Sequence, residues 1–398
     1  MKKLSFISLI LISAVSIDKI AAQINFNHET FKEIKAKAKK ENKLIFMDAY
    51  TSWCGPCKWM AKNVFTNDTV AKYYNDAFIN AKIDMEAGEG IDIAKLYNVR
   101  VYPSLLFIDG DGNLIHRAAG SRPAADFIQL GKDAQNPEKQ FSGLETKYKS
   151  GVRDVQFMMT YLDALQSVGL DTKEALNAYF STQFEMGLVT RQNWTIIRAY
   201  LNDYQSKEFN YLVKNAAEFA KRYSADSVNN KIYEVYMNAC MNKIYSAPSD
   251  SSKFWGLKEE IKKTGFARSE ELVLNADMNY YQNKKDYLNY AKTAINYIDK
   301  YKSKDAMELN NTAYEFYSNI KDKTMLAKAE EWAKKAFELE PQPQITMDTY
   351  ACVLSVNGKK QEAIKLEKQA IDLIKADPKK YDQTAIPELE KKIEEWSK

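Results

Sequence analysis

Cysteine and histidine are scarce in this chain, charge of either sign barely dominates, and long apolar runs are almost missing. Each shortage excludes something. The four cysteines, Cys54, Cys57, Cys240 and Cys352, are spread over 398 residues, too thinly for a small secreted domain stapled by several disulfides. The core must therefore be held by packing. The only histidines are His28 and His116, so a zinc site built on Cys54 and Cys57 finds no second ligand pair at a suitable spacing. The balance of 57 basic against 53 acidic residues leaves a net charge of +4, far from the basic stripe of a nucleic-acid-binding protein.

One apolar run does stand out. It covers Leu4–Ile17, follows Lys2 and Lys3, and precedes the small residues Ala21 and Ala22. At 14 residues it is shorter than the roughly 20 needed to span a bilayer as a helix. Residues 1–22 are accordingly read as a signal peptide for export, with cleavage before Gln23. Asp18 and Lys19 sit between the run and the small residues, so an uncleaved anchor stays as the alternative reading.

Beyond it, two kinds of pattern follow in turn. From Phe26 to Ala134, segments of helical and strand character alternate: a Lys-rich helix over Thr30–Lys40, a buried strand in "KLIFMDAY" (Lys43–Tyr50), a helix after the first cysteine pair, and a strand in "AFINAKIDM" (Ala77–Met85). A short helix over Ile91–Tyr97, a strand "SLLFID" (Ser104–Asp109), a turn "GDGN" (Gly110–Asn113), a return strand Leu114–Gly120 and a closing helix Ala124–Lys132 complete a small α/β sheet domain over 23–134. Residues 135–144 read as a linker. From 145 to 398 glycine and proline thin out, nearly every stretch reads as amphipathic helix, and no strand-period segment appears. Ala329 and Ala336 recur as Ala363 and Ala370, a spacing of 34 residues, which is the period of tetratricopeptide helix pairs. Pro341 is echoed less well by Pro378. The expected fold is thus an α/β domain followed by an all-α, tetratricopeptide-like helical region.

The chemistry concentrates in "AYTSWCGPCKWM" (Ala49–Met60). A structural disulfide there would close only two intervening residues and remove little entropy from the unfolded chain. A redox role accounts for more of the surroundings. A cysteine at the start of a helix meets the positive end of the macrodipole and free backbone N–H groups, which favour its thiolate. Pro56 is tolerated in the first turn because its missing N–H would be unpaired there in any case. Cys54 is then the exposed nucleophile, and Cys57, one turn further in, the thiol that resolves the mixed disulfide.

"WCGPCK", with Asp48 six residues before Cys54 and "VYPS" (Val101–Ser104) far downstream, resembles the thioredoxin family over residues 26–134. The stretch "AYTSWCGPCKWMAKNVFTNDTVAKYY" is closer to its periplasmic branch, such as the C-terminal domain of transmembrane disulfide reductases, than to short cytosolic thioredoxins. The resemblance implies a thioredoxin fold in which Cys54 and Cys57 are catalytic and Asp48 is a buried proton carrier for Cys57. It implies a cis peptide bond before Pro103, and a substrate site made by Trp53, Gly55, Pro56, Tyr102 and Pro103. Lys82 falls at the position of the family's lysine beside the acid, supporting proton transfer, with two extra residues in "MEAGEG" to absorb, and Gly120 at that of its closing-turn glycine. Trp53 is read as a lid over the cysteines, Cys240 and Cys352 as small buried hydrophobes, and His28 and His116 as surface residues without chemistry.

The expected activity is protein-disulfide reduction in the periplasm, without cofactor or metal. Gly-Pro between the cysteines is the arrangement of reducing members; isomerase and oxidase activity are the alternatives. The implied partners are protein disulfide substrates and an electron-donating membrane protein. The helices would present substrates to Cys54 or hold the enzyme near a partner. In a competing reading, the helical array is a binding scaffold and the redox domain an accessory or sensor.

Overall fold

Strand β1 (Leu44–Tyr50) is the centre of the molecule's only sheet among the described residues, and its alternation dictates the layers on either side. Ile45, Met47 and Ala49 point to one face, Phe46 and Asp48 to the other. The computed structural model describes residues 23–246, 250–339 and 343–398, so the segment read as a signal peptide, residues 1–22, lies outside the described residues.

The sheet order is β2-β1-β3-β4, with β2 (Phe78–Asp84), β3 (Ser104–Ile108) and β4 (Leu114–Ala119). β1 and β2 are parallel, whereas β3 runs antiparallel to both β1 and β4. Helix α1 (Phe31–Glu41) is opened by a capping box between Thr30 and Glu33. The crossover from β1 to β2 was expected to hold one helix and holds two. Helix α2 (Gly55–Asn63) ends near Val64, and Asn67 then caps α3 (Asp68–Ala77) by accepting from the N–H groups of Thr69 and Val70. Helix α4 (Gly90–Leu96) precedes β3, and α5 (Ala124–Ala134) follows β4. In the β3–β4 turn it is Gly112, at φ +92°, that takes the left-handed conformation.

Two apolar layers sandwich the sheet. Phe46, Met60, Phe65, Tyr74, Phe107 and Phe127 form the first, under α2, α3 and α5. Phe31, Ile34, Ile45, Met47, Ile93 and Leu106 form the second, under α1 and α4.

After β4 every regular element among the described residues is helical. Four helices, α6 (Phe141–Lys149), α7 (Val155–Ser167), α8 (Lys173–Phe180) and α9 (Arg191–Tyr200), belong to the same compact unit as the sheet. Helix α6 packs on β4. His116 was expected on the surface, but it is half-buried at this junction, where its Nδ1 accepts the N–H of Phe141 at 3.1 Å. The second compact unit begins at Leu201. In it the helices Ala306–Asn319, Lys323–Leu339, Pro343–Val356 and Lys360–Ala376 pack on their neighbours in sequence. Ala329, Ala336, Ala363 and Ala370 are all fully buried there, as close helix approach requires.

Candidate active site

Because β1 and β3 pair with Ala49 opposite Ser104, the end of one strand and the start of the other meet at one edge of the sheet. From that edge β1 leads through Thr51–Trp53 into Cys54, and β3 leads back to Tyr102–Pro103, a cis peptide bond. The N–H of Gly120, itself at φ +81°, donates to the carbonyl of Pro103 at 2.8 Å. The proline is thereby tied to the end of β4.

Cys54 is the N-cap of α2. Its Sγ accepts the backbone N–H of Cys57 at 3.1 Å, and Gly55 and Pro56 occupy the first turn. The two cysteines form a disulfide with their Cα atoms 5.3 Å apart. Helix position and N–H donation both stabilise negative charge on Cys54 Sγ once the bond opens. Cys54 was expected to be the exposed member, yet it is only 3% exposed and Cys57 2%. The backbone around them is open instead. Gly55 and Pro56 are exposed, and a side chain at Gly55 would meet nothing within 4 Å.

Trp53 is 64% exposed, with Nε1 donating to Glu86 Oε2 at 2.8 Å and its ring edge-on to Tyr102 at 5.9 Å. The helical part of this unit also reaches the site. Gly169, at φ +71° after α7, lies so close to Val101 that an added Cβ would sit 2.9 Å from its Cγ1.

On the strand that leads into Cys54, and on the same sheet face as Phe46, lies Asp48, with no exposed surface. It is register partner to Lys82 on β2, whose Nζ stands 3.3 Å from Oδ2. Neither carboxylate oxygen has a well-aligned hydrogen-bond donor. Burial pushes the carboxyl up to about 6, against the downward pull of Lys82. A carboxyl titrating there both accepts and releases a proton near neutral pH.

Lys82 opens into a cleft of about 490 Å³ whose walls include Phe26, His28, Tyr50 and Phe65. Glu86, Tyr50, Phe26 and Phe65 escaped the sequence reading. Tyr50 alone carried a usable signal, since it follows Asp48 by two residues and so shares its face of the strand. Cys240 and Cys352 are buried and unpaired, and burial drives both thiols far up, Cys240 to about 12. Among the described residues no group of three or more His, Cys, Asp or Glu side chains is placed to hold a metal ion.

Comparison with known proteins agrees with this geometry. Residues 31–135 match the model of a thioredoxin-like domain. Thioredoxin-T of Drosophila melanogaster is 38% identical over 80 residues, covering 20% of this chain and 47% of that protein. The thiol:disulfide interchange protein DsbD of Yersinia pestis is 33% identical over 95 residues, 23% of this chain and 16% of its own length. The chain therefore spans less than half of either relative. A thioredoxin H-type from Oryza sativa subsp. indica is 33% identical over 96 residues, 24% of this chain and 73% of the rice protein. Through its N-terminal domain, the chain belongs to the thioredoxin family.

Proposed function

We propose that the protein is a thiol–disulfide oxidoreductase that reduces protein disulfides outside the cytoplasm. One observation carries the reading: a cysteine pair at the N-terminus of α2 with the buried Asp48 on the strand leading into it. In the reduced protein, the Cys54 thiolate attacks one sulfur of a substrate disulfide. A Cys54–substrate bond forms, the substrate S–S bond breaks, and its other sulfur leaves as a thiolate. Cys57 then gives its proton to the Asp48 carboxylate and attacks Cys54 Sγ, releasing the second substrate sulfur. Two electrons pass from the cysteine pair to the substrate, and Cys54–Cys57 is left oxidised. Trp53, Tyr102 and Pro103 flank the pair, where an extended substrate segment would lie. Lys82 stabilises the carboxylate form of Asp48.

Each further turnover requires a dithiol donor, and we assign that role to a membrane protein acting by exchange. The direction is supported by Gly-Pro between the cysteines, and the export by the segment over 1–22 together with the likeness to an interchange protein. No described helix is long and apolar enough to cross a membrane. The helices beyond 145, with tetratricopeptide-like spacing, are read as the part that binds substrate or partner proteins. A scaffold whose redox domain is an accessory is favoured by one feature of the second unit, a polar cleft of about 600 Å³ between its helices.

Trapping separates the two. With Cys57→Ser in the native compartment, the enzyme reading expects proteins linked to Cys54 and released by dithiothreitol. No captured protein, together with a cysteine pair inert to exchange, would refute it. Retained partner binding and phenotype in Cys54→Ser would favour the scaffold.

A further inference from the structure

The ion pair with Asp48 does not by itself explain how Lys82 is held. Its Nζ lies 4.8 Å from the ring centroid of Tyr50, 5.5 Å from that of Phe65 and 5.8 Å from that of Phe26. All three fall within the roughly 6 Å over which a ring face attracts a cation.

The rings come from three separate segments. Tyr50 is the last residue of β1, on the same face as Asp48. Phe65 closes the turn after α2, where its N–H donates to Met60. Phe26 belongs to the segment before α1, which is laid along β2 by a bridge between Asn27 and Ala81. That segment is tied twice more, by Ile24 N–H to the Phe65 carbonyl and Asn27 N–H to the Asn80 carbonyl. Phe26 and Phe65 meet edge-on at 5.4 Å.

We propose that Phe26, Tyr50 and Phe65 form an aromatic cage that fixes the Lys82 ammonium against Asp48, which makes them positioning residues for proton transfer at Cys57. The inference rests on the reading of Asp48 as the proton carrier. A lysine side chain is long and flexible and turns its charged end toward water when nothing holds it. Lys82 stands at the mouth of an open cleft, one quarter exposed, so the route outward is available. Attraction between charges falls with distance and with water between them. The cage opposes the first loss, because its three rings draw the ammonium and hold it near the carboxylate. The charged and titratable groups near the pair are Tyr50 on β1, Asp84 on β2 and His28 from the segment before α1.

The test is a carboxyl ¹³C titration of Asp48 in the full-length oxidised protein, where the disulfide keeps both thiols from titrating. Tyr50→Leu and Phe26→Leu are each expected to raise the Asp48 midpoint by about 0.5–1 pH unit, and Tyr50→Phe, which keeps the ring, to leave it in place. Both ring positions are partly exposed, so neither substitution empties the core. In the reduced protein the same Leu variants should resolve a mixed disulfide about two- to five-fold more slowly at pH 6, following the smaller ionised fraction of the base. Unmoved midpoints in both Leu variants, or a shift in Tyr50→Phe equal to that in Tyr50→Leu, would overturn the cage. Shifted midpoints with unchanged resolution rates would leave the cage standing and overturn Asp48 as the proton carrier.

Discussion

The Nδ1 of His116 on β4 accepts the backbone N–H of Phe141, the first residue of α6. Only an unprotonated nitrogen has a lone pair for that bond, and burial holds the ring down to about 4 from an ordinary 6.5. A base depressed in the folded state contributes its stability in full above pH 6.5 and loses it as pH falls toward 4.

Wild-type protein should therefore lose roughly 2–3 kcal/mol through this one group between pH 7 and pH 4. In His116→Asn an amide oxygen can accept the same N–H without titrating. Urea unfolding across that range should show a shallower acid limb in the variant. Parallel curves would show that the histidine is not what titrates.

Glu367, on the helix Lys360–Ala376, is wholly buried, and neither of its carboxylate oxygens has a donor. Burial and the neighbouring Asp348 push it up to about 9, so at neutral pH it holds its proton and can donate to Asp348. Lys392, bound to Asp348 at 2.6 Å, pulls Glu367 back down only in part. A carboxyl raised above its unfolded value of 4.5 stabilises the fold fully below that value, and the contribution disappears as pH rises through 9. Glu367→Gln keeps a donor toward Asp348 and removes the titration. Its thermal midpoint should exceed that of the wild type by a margin growing from pH 5 to pH 8. A constant or shrinking margin would contradict the assignment.

The redox site was legible in the sequence to the extent that its parts are local or lie in strands of clear period. Cys54, Cys57 and Pro56 declare a helix start because capping and proline chemistry act within one turn. Asp48 stands out as an acid inside an apolar run, and Pro103 as a proline just ahead of a buried strand. The division of the crossover at Asn67 is equally local, yet a cap inside a continuous helical pattern looks like one more polar residue. His116 and Phe26 were missed for a different reason. One accepts a hydrogen bond from a helix that begins 25 residues later, and the other faces Lys82 only once the chain before α1 lies along β2. Likewise, nothing in the sequence around Gly169 indicates that its partner is Val101.

Asp48 joins the function of the protein to its stability, with opposite signs. Its carboxyl titrates near 6 when folded against an ordinary 3.8, so its neutral form stabilises the fold and the contribution is lost as pH rises through 6. Above that, a buried charge is held beside Lys82 at a cost of about 3 kcal/mol, from a shift of about two pH units. Asp48→Asn keeps the shape and removes the charge. The variant should be more stable than wild type by roughly 2–3 kcal/mol at pH 8, with little difference at pH 4. The same change takes away the group that accepts the Cys57 proton, so resolution of a mixed disulfide should slow by about ten-fold or more at pH 7. Urea unfolding at the two pH values and stopped-flow resolution kinetics make the comparison. A residue kept for packing alone would lose stability when replaced and leave the kinetics alone; one kept for proton transfer gives the reverse pattern.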